Sequence, residues 1–128
     1  MATTTEPVGT VPRTIEVYPH PAVLKLLGRD YRVPYKVGRS TRYWPGADRP
    51  ARIRNLLAEM GAINAALGAV FGDTRLMLPE PSFVPSLASL KKYEDALDAL
   101  ICAWIGVSYV ERTAVPYGDE TAAIWVPQ

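Results

Sequence analysis

Apolar residues recur at spacings of three and four over two long stretches of this chain. In the first, Ile53, Leu56, Leu57, Met60, Ile63, Leu67 and Val70 share one face, which predicts an amphipathic helix from about Ala51 to Phe71. Asp48 stands where a helix cap belongs, and Gly72 lies just past the end. Gly61 and Gly68, inside the helix, point to close packing there. In the second stretch, Leu90, Tyr93, Leu97, Leu100, Ile101 and Trp104 form the stripe of a helix from about Ser86 to Ser108. Ala96, Ala99 and Ala103 form a second, small-residue face, so this helix is expected to pack on two sides. At about 100° per residue, Lys91, Asp95, Asp98 and Cys102 fall along one flank between the two faces.

Elsewhere the period is two. Thr14 to Tyr18 alternates Ile15 and Val17 with Glu16 and Tyr18, which predicts a short strand. Pro19 and Pro21 end it, because proline donates no ladder hydrogen bond. Pro21 then opens a short helix through Leu27, stopped by Gly28. The tail from Thr113 to Pro127 reads as two strands about a Tyr117-Gly118-Asp119-Glu120 turn. The connections Arg29 to Pro50 and Asp73 to Pro85 read as irregular. Met1 to Pro12 is a Thr-, Pro- and Gly-rich run without periodicity, so residues 1–13 are expected to be a flexible leader ahead of a single domain over 14–128.

Composition narrows this only a little. At 128 residues, 48% apolar and 21% charged, the chain suits a soluble globular domain with a substantial core. A formal net charge of +1 carries no global signal for nucleic acid or membrane. The lone cysteine, Cys102, excludes an intrachain disulfide, and a reducing, cytoplasmic setting is expected. No basic segment leading into an apolar core suggests a signal peptide, and no apolar run is long enough to span a membrane.

Four groups of residues bear on chemistry. Asp95 and Asp98 are three apart and meet on a helix surface, so both can aim oxygen at one hard cation, or both can lie on a solvated flank beside Lys91. Glu16 is a charged residue inside an apolar strand; under a helix it needs a cation or donors, and on an edge strand it is simply exposed. His20 directly follows the strand; it could bind a phosphate or act as a base, but beside a helix start it is read as a cap or a solvated side chain, and as the single histidine it excludes a histidine-based metal site within this chain. Lys36, Arg39, Arg42 and Arg49, interleaved with Tyr35, Tyr43 and Trp44, could follow a phosphate backbone and stack bases, or be an ordinary polar loop. Asp119 and Glu120 are assigned to turn chemistry.

Four pieces then occur in a telling order: Ile15-Glu16-Val17-Tyr18-Pro19-His20-Pro21, Arg32-Val33-Pro34-Tyr35-Lys36, Lys91-Lys92-Tyr93-Glu94-Asp95-Ala96-Leu97-Asp98-Ala99-Leu100, and Tyr117-Gly118-Asp119-Glu120 with Ile124-Trp125-Val126-Pro127. The series resembles the domain-of-unknown-function family of predicted RNase H-like nucleases. Its Asp-x-x-Asp-Ala-Leu element resembles the last active-site helix of Holliday-junction resolvases. The resemblance implies an α/β class: a partial RNase H-like fold with a short mixed sheet, two long packed helices and a C-terminal strand pair. It also implies that Glu16, Asp95 and Asp98 hold Mg²⁺ or Mn²⁺ for phosphodiester hydrolysis, with two cations about 3.5–4 Å apart. Lys36, Arg39, Arg42 and Trp44 would then meet the nucleic acid. Members of that superfamily begin with a strand hairpin carrying a further catalytic aspartate, and no aspartate precedes Glu16 here. The chain therefore looks like the C-terminal part of such a domain. Incompletely covered apolar faces, self-association or a partner chain are expected, and the alternative is a non-catalytic nucleic-acid-binding or structural fragment.

Overall fold

The computed structural model describes residues 4–9, 13–119 and 121–128. Part of the leader and Glu120 of the expected turn lie outside the described residues.

Helix α1 is Pro19–Leu27, one turn-half earlier than its expected start. Both prolines fit because the first-turn N–H groups have no intrahelical acceptor anyway. Gly28 closes it at φ 63°, where its own N–H bonds to the Lys25 carbonyl and the Arg29 N–H to that of Leu24. This is the double closure that a left-handed residue permits. The expected irregular connection contains a 3-10 turn at Val37–Arg39 and the four-residue helix α2, Ser40–Tyr43. Helix α3 is Arg49–Phe71, and Asp48 caps it, its Oδ1 accepting from the Ala51 N–H at 2.9 Å. Ile53, Leu56, Leu57, Met60, Ile63 and Leu67 are buried as the periodicity requires, but Val70 is exposed. The expected close packing at Gly61 and Gly68 is absent: a Cβ on either would meet nothing within 4 Å.

Helix α4 is Lys91–Val110, preceded by a 3-10 turn at Ala88–Leu90 where a longer α-helix was expected. Of its expected stripe, Leu90, Leu97 and Ile101 are fully buried and Tyr93, Leu100 and Trp104 half-buried, while Ile105, outside the expected set, is fully buried. Its alanine face is not covered on a second side, since Ala99 and Ala103 are exposed and Ala96 is half-buried. Strands β1, Ala114–Gly118, and β2, Ala123–Pro127, form an antiparallel hairpin with Pro116 opposite Trp125. Asp119 ties the turn by accepting from Thr121 and Ala122. Gly118 is obligatory there, because its φ is 149° and a Cβ would lie 2.2 Å from the Ala122 carbonyl oxygen.

The strand expected at Thr14 to Tyr18 is reduced to bridge positions at Thr14 and Glu16; Glu16 pairs in parallel with Ile124, and the Trp125 N–H bonds to the Glu16 carbonyl at 3.1 Å. The helix beginning at Pro19 limits it. Mixed pairing therefore holds, antiparallel on one side of β2 and parallel on the other. Ile15 and Val17 pack toward the core while Glu16 and Tyr18 are exposed, as the alternation requires. The core lies where α1, α3, α4 and β2 meet. Residues 4–9 are not loose: Thr4 is buried, its carbonyl accepts from the Trp125 indole, and the Glu6 carbonyl accepts from the Tyr109 hydroxyl.

Candidate functional site

The first half of α4 and the chain entering the Val37–Arg39 turn build one polar corner. Val33 and Tyr35 are buried and anchor the incoming segment, which brings Lys36 and Val37 against α4. Glu94 is the central acid. It is 2% exposed, and its Oε1 accepts from the Val37 backbone N–H at 2.7 Å. Its Oε2 accepts from Lys91 on the preceding turn, and the Lys36 ammonium lies 3.7 Å away. One turn further, Asp98 accepts from the Tyr35 hydroxyl at 2.7 Å and from Lys36 at 2.5 Å. Lys36 thus bridges two carboxylates. A buried acid needs such partners, because an unpaired charge removed from water is strongly disfavoured.

The electrostatics follow from this packing. Burial, then the hydrogen bond and negative charge of Asp98, push the Tyr35 hydroxyl far above its ordinary value, so it remains a neutral donor. Burial and Asp98 likewise raise the Cys102 thiol, against an opposing effect of Lys36. The hydrogen bond from Lys91 to Glu94 raises the lysine and keeps it charged. Above the corner opens a hollow of about 450 Å³ lined by Arg32, Lys36, Gly38, Arg39, Lys91 and Glu94. Four cationic side chains face one carboxylate there, although the molecule as a whole is nearly neutral.

A family model described as "Protein of unknown function (DUF429)" matches residues 2–122. The chain belongs to this family. No curated protein and no solved structure matches it.

In this DUF429 domain the expected site residues are spread over two places. Asp98 and Lys36 are in contact, and Asp95 is adjacent, its Oδ1 3.4 Å from Lys91 with the side chain 63% exposed. Glu16 is exposed, with its main chain on the sheet beside Ile124. Among the described residues, no group of three His, Cys, Asp or Glu is placed to hold a metal ion. The oxygens of Asp98 are engaged by Tyr35 and Lys36, so a divalent cation at Asp98 would take the place of the Lys36 ammonium. Arg39 and Arg42 are exposed near the turn. Trp44 is half-buried against the core and meets Tyr43 edge-on at 5.4 Å, which is the setting of a packing residue.

The sequence does not single out Glu94, Arg32 or Lys91 as site residues, and it offers Tyr35 for base stacking where the structure makes it a donor to Asp98. For Glu94 a signal was present. It falls on the stripe Leu90, Leu97, Ile101 and Ile105, so a carboxylate stands where an apolar residue is expected. Arg32 and Lys91 lie 59 positions apart and share a hollow only through the fold.

Proposed function

We propose that this domain is nuclease-like and engages the phosphodiester backbone of a nucleic acid in the basic hollow. The observation that carries this is the hollow itself: Arg32, Lys36, Arg39 and Lys91 converge, with Glu94 in the wall and Asp98 one hydrogen bond behind Lys36. Guanidinium groups match phosphate oxygens in pairs, and lysines add point charge. Acids held beside a phosphate-binding surface are what phosphodiester hydrolysis uses to manage water and protons. The ordered motifs of the resemblance support the same class of chemistry. Binding is the part of the proposal the geometry supports best. The Mg²⁺ or Mn²⁺ requirement, with Glu16, Asp95 and Asp98 as ligands, rests on the resemblance. The lone, half-buried Cys102 suits a reducing, cytoplasmic setting.

Fluorescence anisotropy with a labelled oligothymidylate tests this. Binding is expected to weaken with salt, with a log–log slope that falls by about 0.7 for each cation removed. The Arg32→Ala/Arg39→Ala pair should therefore weaken binding and flatten the slope. Affinity unchanged in that pair would sink the reading. In the presence of Mn²⁺, cleavage is expected to be lost in Asp98→Asn; equal cleavage would remove the acid from the chemistry.

A second reading, association with another copy or chain, is favoured by a separate apolar hollow. It measures about 530 Å³ and is lined by Pro21, Leu24, Tyr117, Ile124 and Val126 among others. Exposed Val115 and Tyr117 on β1 adjoin it in the chain. Self-association is expected to show in light scattering as a mass that rises with concentration, and a constant monomer mass removes that form of the reading. Among the described residues no helix is long and apolar enough to cross a membrane.

A further inference from the structure

Helix α1 and the C-terminal hairpin face each other without filling the space between them. On α1, Pro21, Leu24, Lys25 and Gly28 are three or four residues apart in turn and lie on one face of the helix. Ala22 and Val23, off that face, are fully buried and hold α1 on the core. On the hairpin, Tyr117 is opposite Ile124, and Val126 is two residues on, so these three share one side of the sheet. Trp125 takes the other side, against Tyr109 of α4. Between the two faces lies the apolar hollow of about 530 Å³. Sites for small organic ligands span roughly 300–1,000 Å³, mostly apolar with a few polar groups that fix orientation.

The charged groups of this hollow are of one sign. Lys25 and Arg29 line it, and among the described residues no carboxylate side chain does. Glu16, paired with Ile124 on the sheet, is exposed and outside the lining. Arg29 is engaged by Glu59 at 2.5 Å. Lys25 has no such partner among the described residues. Its ammonium donates to the Gln128 side-chain carbonyl at 3.5 Å, longer than a well-formed hydrogen bond. An ammonium beside an apolar wall complements a molecule with an apolar body and one negative end. It does not complement a second copy docked through the same face, because a two-fold contact would bring a second Lys25 and no lining carboxylate to meet it.

We propose that this hollow binds a small, free amphiphilic carboxylate, with its hydrocarbon part against Leu24, Ile124 and Val126 and its head group on Lys25. The proposal goes beyond both readings above, since it uses neither the basic hollow nor a partner chain. Lys25 is exposed, so the head group stays hydrated at the rim and no charge is buried. The apolar contact then supplies most of the affinity, and the ion pair selects the sign of the head group, because a pair in contact with water contributes little by itself. Gln128 gives up its long bond as the carboxylate arrives.

Calorimetric titration of the full chain with decanoate, decylamine and acetate, each below its micelle concentration, reads both halves of the site. Decanoate is expected to bind with a negative heat-capacity change, which marks apolar burial. Decylamine should bind about tenfold more weakly, and acetate not measurably. Lys25→Met should weaken decanoate about fivefold and bring decylamine level with it. Ile124→Trp, which fills the hollow, should abolish decanoate binding. Equal affinity for decanoate and decylamine in the wild type overturns the proposal. So does decanoate binding that Arg39→Ala weakens and Lys25→Met leaves unchanged, which would place the ligand in the basic hollow. Absence of decanoate binding also overturns it, and a mass that rises with concentration in light scattering would then assign the face to a second copy. The wild-type comparison of the three ligands decides even if Ile124→Trp fails to fold.

Discussion

Glu94→Ala is expected to destabilise the fold by about 3 kcal/mol in urea denaturation followed by circular dichroism. The carboxylate is 2% exposed and serves three groups: the Val37 N–H, the Lys91 ammonium and, at 3.7 Å, the Lys36 ammonium. Removing it leaves a backbone donor without its acceptor, which alone costs about 1–3 kcal/mol. It also leaves a void where the side chain was. The two lysines moderate the loss. Their side chains are 27% and 58% exposed, so water can reach them, and Lys36 retains Asp98. The effect therefore falls at the lower edge of the roughly 3–5 kcal/mol seen when one partner of an enclosed ion pair is removed. Glu94→Gln keeps an acceptor for Val37 and should cost about half as much, on the order of 1–2 kcal/mol. Against a total stability of about 5–15 kcal/mol, the alanine change is large. A loss below about 1 kcal/mol would mean that Glu94 does not anchor the Val37–Arg39 turn. Because that turn carries Arg39 and follows Lys36, the alanine variant should also weaken oligonucleotide binding.

Trp125→Ala is expected to cost about 4 kcal/mol, within the usual range for removing a large buried aromatic side chain. Trp125 is 3% exposed at the centre of β2. Its ring meets Tyr109 edge-on at 4.8 Å, a geometry that adds to simple area burial. Its indole N–H bonds to the Thr4 carbonyl at 3.0 Å, and Tyr109 in turn bonds to the Glu6 carbonyl. The pair therefore fastens the start of the described chain to the hairpin. Thermal and urea unfolding measure the total loss. Limited proteolysis should show cleavage near residues 4–9 well before global unfolding. Trp125→Phe keeps most of the ring and loses the bond to Thr4, so it should expose that segment at a smaller cost, about 1–2 kcal/mol. Equal protection of the N-terminal segment in Trp125→Ala and the parent would remove the indole from this role.

The helices and the hairpin were legible because their signals are local. Asp48 three residues before Ala51 is a cap whatever surrounds it, and the three-and-four spacing in α3 and α4 reports which face is inside. Gly28 and Gly118 mark chain reversals that other residues resist. The readings that failed needed knowledge of neighbours. Ala99 and Ala103 look like a packing face, yet a face is buried only if another layer reaches it. Gly61 and Gly68 look like points of close approach, yet nothing approaches. Glu16 reads as the middle of a strand, and the backbone supplies isolated bridges in place of a continuous strand before α1 begins.

The site divides in the same way. The spacing of Asp95 and Asp98 put both acids on one flank of α4, and that follows from helical geometry alone. Which acid is buried did not follow, because hydrophobic periodicity describes a stripe and says nothing about a charged residue lying within it. Glu94 is stable in that stripe only because a segment some sixty positions earlier folds back and presents the Val37 N–H and Lys36. The same return brings Arg32, Lys36 and Arg39 beside Lys91. Caps, turns and amphipathic faces are decided within a few residues of chain. The pairing of charges, and hence the chemistry of the acid pair on α4, is decided by distances through space, which are set when α1, α3, α4 and β2 close on their common core.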